Sequence, residues 1–228
     1  MRDGWSIIDQ VDPSRLTVNC SIIFPDLPLL DRPLAAADAG FRAVEFWWPF
    51  DTAVPSDRDI DRFITAIDDA GVRLTHLNFA AGDLTAGRRG LLSHPDTSAE
   101  FRDSVDVAIG IGRRLGTVGF NALYGNRLDG LVPDTQDDLA TENLAFGAQA
   151  ASTIGADVLI EPLSGIPSYP LTHAVDAIAV CDRVTREHGV HNVTLLADLY
   201  HLAVNGDDLD AVIATHANRI GHLSLIHI

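Results

Sequence analysis

The sequence is poor in cysteine, carries no basic excess and has no long apolar run, and each shortage closes off a class of protein. Only Cys20 and Cys181 occur, with no Cys-x-x-Cys spacing. A disulfide framework or a thiolate zinc site is therefore excluded, and two free thiols are expected, one on a strand and one in a helix. Acidic residues outnumber basic ones 32 to 16, a net charge of −16. They are scattered along the chain and read as solvated helix faces, which disfavours nucleic acid as a partner. No apolar run approaches the ~20 residues of a membrane span. Met1-Arg2-Asp3-Gly4-Trp5 lacks the apolar core of a signal peptide, so a cytoplasmic location without a membrane partner is expected. A phosphate-binding glycine loop after the first strand is also missing. Gly110-Ile111-Gly112 followed by Gly116 has the wrong spacing and reads as close helix packing.

What is there is enough for one large core: 228 residues, 46% hydrophobic and 21% charged. Strand and helix signals alternate along it. Leu16 to Ile23 reads as a strand and Pro28 to Ala39 as a short helix with Gly40 past its end. Ala43 to Phe46 is the next strand. Ser56 to Ala70 is a helix opened by the capping pattern Ser56…Asp59, with Ile60, Phe63, Ile64 and Ile67 on one face. Strand Arg73 to Asn78, a long glycine-rich polar loop and a helix from Thr97 to Leu115 follow, Glu100 completing the capping pattern of Thr97. Then come strand Thr117 to Ala122 with a helix within Asp134 to Ile154, and strand Val158 to Glu161 with helix Leu171 to His188. Strand Val193 to Ala197 with helix Asp207 to Ala217 precedes a last strand from Ile220 to about Ile226. Six βα units and a seventh strand predict a parallel sheet. The expected fold is α/β, a (β/α)8 TIM barrel forming one domain over residues 1–228. It is incomplete, because closure needs eight strands and the sequence stops before an eighth.

Two of these strands end in carboxylates: Val158-Leu159-Ile160-Glu161-Pro162 and Leu195-Leu196-Ala197-Asp198, the second continuing into Leu199-Tyr200-His201. Parallel barrel strands deliver their end residues to one rim. Glu161 and Asp198 are therefore the first candidates for metal ligands, joined at the mouth by Glu45, His76, Asn78, Asn121, His201 and His222. Carboxylate, imidazole and amide groups without usable thiolates suit Mg²⁺ or Mn²⁺ and a small hydroxylated substrate. The bland alternatives are helix capping for the two carboxylates and core packing for His201. Trp47-Trp48 either walls a pocket or covers the barrel top. Gly82-Asp83 and Gly87-Arg88-Arg89-Gly90 form either a lid carrying two cations or an exposed turn. His94, His173, His188, His191 and His216 are expected to face solvent.

At these residues the chain resembles the hydroxypyruvate isomerase family of xylose isomerase-like TIM barrels, within the sugar phosphate isomerase/epimerase superfamily. The resemblance runs from Leu16 to His222. It is carried by Gly40-Phe41-Arg42-Ala43-Val44-Glu45-Phe46, by Asn78 through Gly82-Asp83 to Ala86-Gly87-Arg88-Arg89-Gly90, and by Asn121-Ala122-Leu123-Tyr124-Gly125-Asn126-Arg127. Glu161-Pro162-Leu163, Asp198-Leu199-Tyr200-His201 and Arg219-Ile220-Gly221-His222 complete it. The resemblance implies an isomerase of carbohydrate metabolism that interconverts hydroxypyruvate and tartronate semialdehyde through a metal-stabilised ene-diolate. It implies Glu161 as metal ligand and acid/base group, Asp198 as a second ligand and His201 as a group orienting substrate oxygens near the metal. Asn78, Asn121, Glu45 and His222 would bind substrate. Arg89 would pair with a substrate carboxylate, whose two oxygens match a guanidinium fork.

Two departures accompany it. Ser224, a poor metal ligand, stands where the family carries Gln or His, and the family's last acidic ligand on strand eight has no counterpart before Ile228. Leu223-Ser224-Leu225-Ile226-His227-Ile228 is also unlike the family, and His227 would point away from His222. The expectation is a C-terminally truncated chain of weak or no activity, with open sheet edges that favour a homo-oligomer. The alternatives are ketose 3-epimerisation or 2-oxo-tetronate isomerisation on the same scaffold, and a non-catalytic metal-binding fragment. Metal-dependent phosphodiester cleavage would need more histidine ligands and a basic face.

Overall fold

The computed structural model describes residues 16–84 and 86–225. Met1 to Trp5 and Ile226 to Ile228, with His227 among them, lie outside the described residues.

Seven strands follow one another in parallel: β1 (Val18–Asn19), β2 (Ala43–Phe46), β3 (Arg73–Asn78), β4 (Gly119–Asn121), β5 (Asp157–Ile160), β6 (Val193–Asp198) and β7 (Ile220–Ser224). Each pairs with its neighbour in sequence, so the sheet order is the chain order. Helices fill the crossovers: α1 (Cys20–Ile23) and α2 (Arg32–Asp38), α3 (Asp57–Ala70), α4 (Ser98–Leu115), α5 (Pro133–Ser152), α6 (Ala174–His188), then α7 (Leu199–Asn205) and α8 (Leu209–His216). The sheet curls, because side chains of its second and last strands meet inside it: His222 Nε2 lies 3.1 Å from Glu45 Oε2. Among the described residues no strand joins β7 to β1, and the architecture is a seven-stranded partial TIM barrel.

Strand alternation sorts the side chains. Phe46 packs edge-on against Phe63 of α3, ring centroids 5.2 Å apart, so Glu45 beside it is turned to the interior. Phe120 stacks on Phe79 at 5.2 Å outside β4. Burial of each such ring contributes roughly 2 kcal/mol. Gly112 of α4 allows the close approach read from the sequence: a Cβ there would lie 2.6 Å from Phe120 Cζ, whereas Gly110 faces open space.

Several boundaries differ from the sequence reading. The expected strand Leu16 to Ile23 is only Val18–Asn19, because Asn19 Oδ1 accepts the Ser21 N–H at 3.0 Å and starts α1. Cys20 therefore opens a helix instead of lying on a strand; both cysteines are free and buried. Ser56 caps α3 as read, accepting from Asp59 N at 3.2 Å. Thr97 does not cap α4, since its hydroxyl donates to Leu91 O at 3.2 Å. The short helix α7 is the one that the capping alternative for Asp198 implies, although periodicity gives it no separate signal. His94 is a correction: it is 7% exposed, with Nε2 at 2.7 Å from Asn126 O. His173 is half-buried against Asp207, whereas His188 and His191 are exposed. Among the described residues no helix is long and apolar enough to cross a membrane.

Candidate active site

The C-terminal ends of the strands open on a cavity of about 400 Å³. Glu45, His76, Asn78, Arg89, Asn121, Glu161, Asp198, His201 and His222 all line it, so the structure brings every candidate from the sequence into one space. Trp47 walls it, whereas Trp48 turns away and donates its indole N–H to Thr52 O at 2.9 Å.

On one side sit the two strand-end carboxylates. Glu161 follows β5 directly, and its carbonyl is held by the Tyr169 hydroxyl at 3.0 Å. Asn121 Nδ2 donates to Glu161 Oε2 at 2.8 Å. Burial pushes the Glu161 carboxyl up to about 8, with the negative charges of Asp198 and Glu45 adding to the rise and the Asn121 hydrogen bond opposing it. Asp198 is 2% exposed and does two jobs. Its Oδ1 accepts the backbone N–H groups of Tyr200 (2.9 Å) and His201 (3.1 Å), capping α7, while Oδ2 accepts the Ser224 hydroxyl at 2.7 Å. The capping role and the cavity position are thus both real. His201, on the first turn of α7, accepts the Ser164 N–H on Nδ1 at 3.2 Å, which puts its ring proton on Nε2.

Glu161, Asp198 and His201 each offer a ligand atom, all within 4.8 Å of one another. Two carboxylates and one imidazole without a thiolate fit a hard divalent ion such as Mg²⁺ or Mn²⁺. Asn121 Oδ1, buried and without a hydrogen-bond partner among the described residues, is a further neutral oxygen on a side chain that touches Glu161.

The opposite wall is built from β2, β3 and β7. Glu45 Oε1 accepts from Asn19 Nδ2 at 3.1 Å, and Oε2 pairs with His222. Burial alone would raise the Glu45 carboxyl, but hydrogen bonding and charge from His222, with His76 and Asn19, hold it below its ordinary value. Burial pushes His76 down to about 4, helped by His222 and opposed by Glu45.

Arg89 reaches the cavity from the glycine loop, its Nη1 donating to Leu84 O and Arg88 O at 2.8 Å. That loop is tied down: Gly125 N donates to Arg89 O (2.9 Å) and Asn126 Nδ2 to Gly87 O (3.1 Å). Gly90 has φ +117° and sits so close to Leu123 O that a Cβ would come within 2.0 Å, so the contact needs glycine. Asn19, Ser164 and Tyr169 were missed by sequence reasoning. Asn19 lies inside the stretch that reads as one strand, which masks its capping role; Ser164 and Tyr169 lie in the β5–α6 loop, where periodicity carries no signal.

The sequence contains no lysine, all 16 basic residues being arginine, so no side chain can form an imine with a carbonyl substrate. Burial pushes both thiols up to about 12, which removes them as nucleophiles. Acid/base work by carboxylate and imidazole is the chemistry the cavity retains.

Comparison with known proteins agrees. The family model of the xylose isomerase-like TIM barrel matches residues 33–228. A Streptomyces coelicolor protein whose provisional name is hydroxypyruvate isomerase is 51% identical over 215 residues, 92% of this chain and 77% of that protein. The 2-oxo-tetronate isomerase of Cupriavidus necator is 34% identical, covering 92% of this chain and 78% of its own. Among solved structures, one titled as an AP endonuclease of family 2 from Brucella melitensis superposes with a TM-score of 0.79 at 30% identity, covering 91% of this chain and 77% of that one.

Proposed function

This chain belongs to the xylose isomerase-like TIM-barrel family and is an isomerase, and we propose that it interconverts hydroxypyruvate and tartronate semialdehyde. The observation that carries the reading is the pairing of Glu161 with Asp198 at successive strand ends in one cavity, Asn121 and Tyr169 orienting the first and α7 the second. Isomerisation removes a proton from the carbon beside a carbonyl and returns it to the neighbouring carbon, with an ene-diolate between. Glu161 is the group that takes and returns this proton. Nε2–H of His201 donates to a substrate oxygen. Arg89 receives the substrate carboxylate, with Asn78 and Asn121 holding its hydroxyl and carbonyl oxygens. Glu161 and Asp198 would hold a divalent ion, which when bound supplies Lewis-acid stabilisation of the developing oxyanion.

A four-carbon 2-oxo acid is the second reading, favoured by the 34% identity to the 2-oxo-tetronate isomerase of Cupriavidus necator. Phosphodiester cleavage suits the site less, because a chain of net charge −16 repels a polyanion. The test is steady-state turnover of both acids in Mn²⁺-supplemented chain. Turnover that Glu161→Gln lowers at least about 1000-fold supports the assignment, and turnover of either acid that survives Glu161→Gln refutes it.

A further inference from the structure

Glu45, His76 and His222 form a second triad whose ligand atoms lie within 4.8 Å of one another, on the wall of the cavity across from Glu161. We propose that this triad is a separate, nitrogen-rich cation site that takes an imidazole-preferring ion of the Zn²⁺ or Co²⁺ class, whereas Glu161 and Asp198 take the harder Mg²⁺ or Mn²⁺.

Four observations converge on it. His76 Nδ1 is buried and has no hydrogen-bond partner among the described residues. Leaving such a group unmatched costs about 1–3 kcal/mol, a penalty that a bound ligand removes. The imidazole is also accommodated at the expense of a neighbour: a Cβ on Gly119 of β4 would lie 2.5 Å from His76 Cδ2 and 2.9 Å from Nε2. The two imidazoles already lie together, ring centroids 4.1 Å apart and tilted by 46°, with His222 Nε2 at 3.1 Å from Glu45 Oε2. Finally, the three groups come from three strands, β2, β3 and β7, so their spacing is set by the sheet and not by a mobile loop.

Three protein ligands facing a cavity leave one position open to water or substrate, the arrangement of catalytic and not of structural zinc sites. Tetrahedral bonds of about 2.0 Å need ligand atoms about 3.3 Å apart. His222 Nε2 and Glu45 Oε2, 3.1 Å apart, already stand at that spacing. Softer imidazole donors select Zn²⁺ or Co²⁺ over Mg²⁺, so the two triads sort ions by donor type.

The experiment is equilibrium dialysis of chelator-stripped Glu161→Gln chain against Zn²⁺, with bound metal measured by elemental analysis, beside Glu161→Gln/His76→Leu. The single variant is expected to hold one equivalent of Zn²⁺, and the double variant to bind it more than about 100-fold more weakly. Equal affinity in the two, or no Zn²⁺ on the single variant, overturns the proposal. Zinc-edge X-ray absorption of the unsubstituted chain at one equivalent of Zn²⁺ needs no variant to fold. Two imidazole ligands are expected, and a spectrum with one imidazole or none overturns the site. The isomerase reading is tested by turnover and stands or falls apart from these results.

Discussion

Replacing Glu161 by Gln is expected to stabilise the metal-free chain, increasingly so as the pH rises. The carboxyl is pushed up to about 8 from an ordinary value of 4.5, so between those values the folded state keeps a proton that the unfolded state releases. Stability therefore falls as pH rises through this window, is unaffected by Glu161 below it, and carries the full penalty above it. At pH 7 a slope of about 1.4 kcal/mol per pH unit, acting upward from 4.5, amounts to about 3 kcal/mol. Part of the Glu161 surface reaches the cavity, and its water returns a share of this, leaving about 1–2 kcal/mol. Gln keeps the acceptor for Asn121 and never ionises. In a chain of this size the difference corresponds to a melting-temperature gain of roughly 2–8 °C. Calorimetry in chelator from pH 5 to pH 9 measures it, the other titrating groups cancelling between the two proteins. The gap should open from near zero at pH 5, and Mn²⁺ at pH 8 should raise the melting temperature of the parent and not of the variant. A gap that is constant with pH, or a variant less stable than the parent at pH 8, would refute the reasoning.

Arg89→Met should raise KM for a carboxylate substrate roughly 10- to 100-fold with a smaller change in kcat, the signature of lost binding through a charged hydrogen-bonded pair. Gly112→Ala drives a Cβ against Phe120 and should lower stability by about 1–3 kcal/mol, read by denaturant midpoint at unchanged m-value. Asp207→Ala removes the acceptor for Ala174 N (3.0 Å) and for His173 Nδ1 (3.0 Å) at the start of α6. A loss of about 1–2 kcal/mol in the same assay is expected.

The site was legible where the chain's own periodicities place residues. β5 and β6 are continuous apolar runs closed by an acid, and the acid falls on the rim because parallel strands share a direction; that ground alone places Glu161 and Asp198 in the cavity. Glu45 was equally visible, flanked by Val44 and Phe46, whose burial turns it inward. What remained hidden depends on contacts between distant segments. The apolar stretch around Cys20 reads as one strand until Asn19 is seen to cap a helix, since a short apolar run has no period of its own. His94 looked like a surface loop residue, yet it is enclosed by the loop after β4 through Asn126. Ser224, a weak ligand by its chemistry, turned out to donate to Asp198 Oδ2, a partnership that two residues on different strands cannot announce.

The bond between Glu45 and His222 joins a strand near the start of the chain to one near its end. Long-range pairings of this kind form late, because the loop between them must be closed before the contact can reward it. While the chain emerges from the ribosome, Glu45 and His76 are made long before their partner exists. The wall of the cavity is thus also a tie between an early strand and a late one, and substitutions at His222 should loosen that tie as well as alter its chemistry.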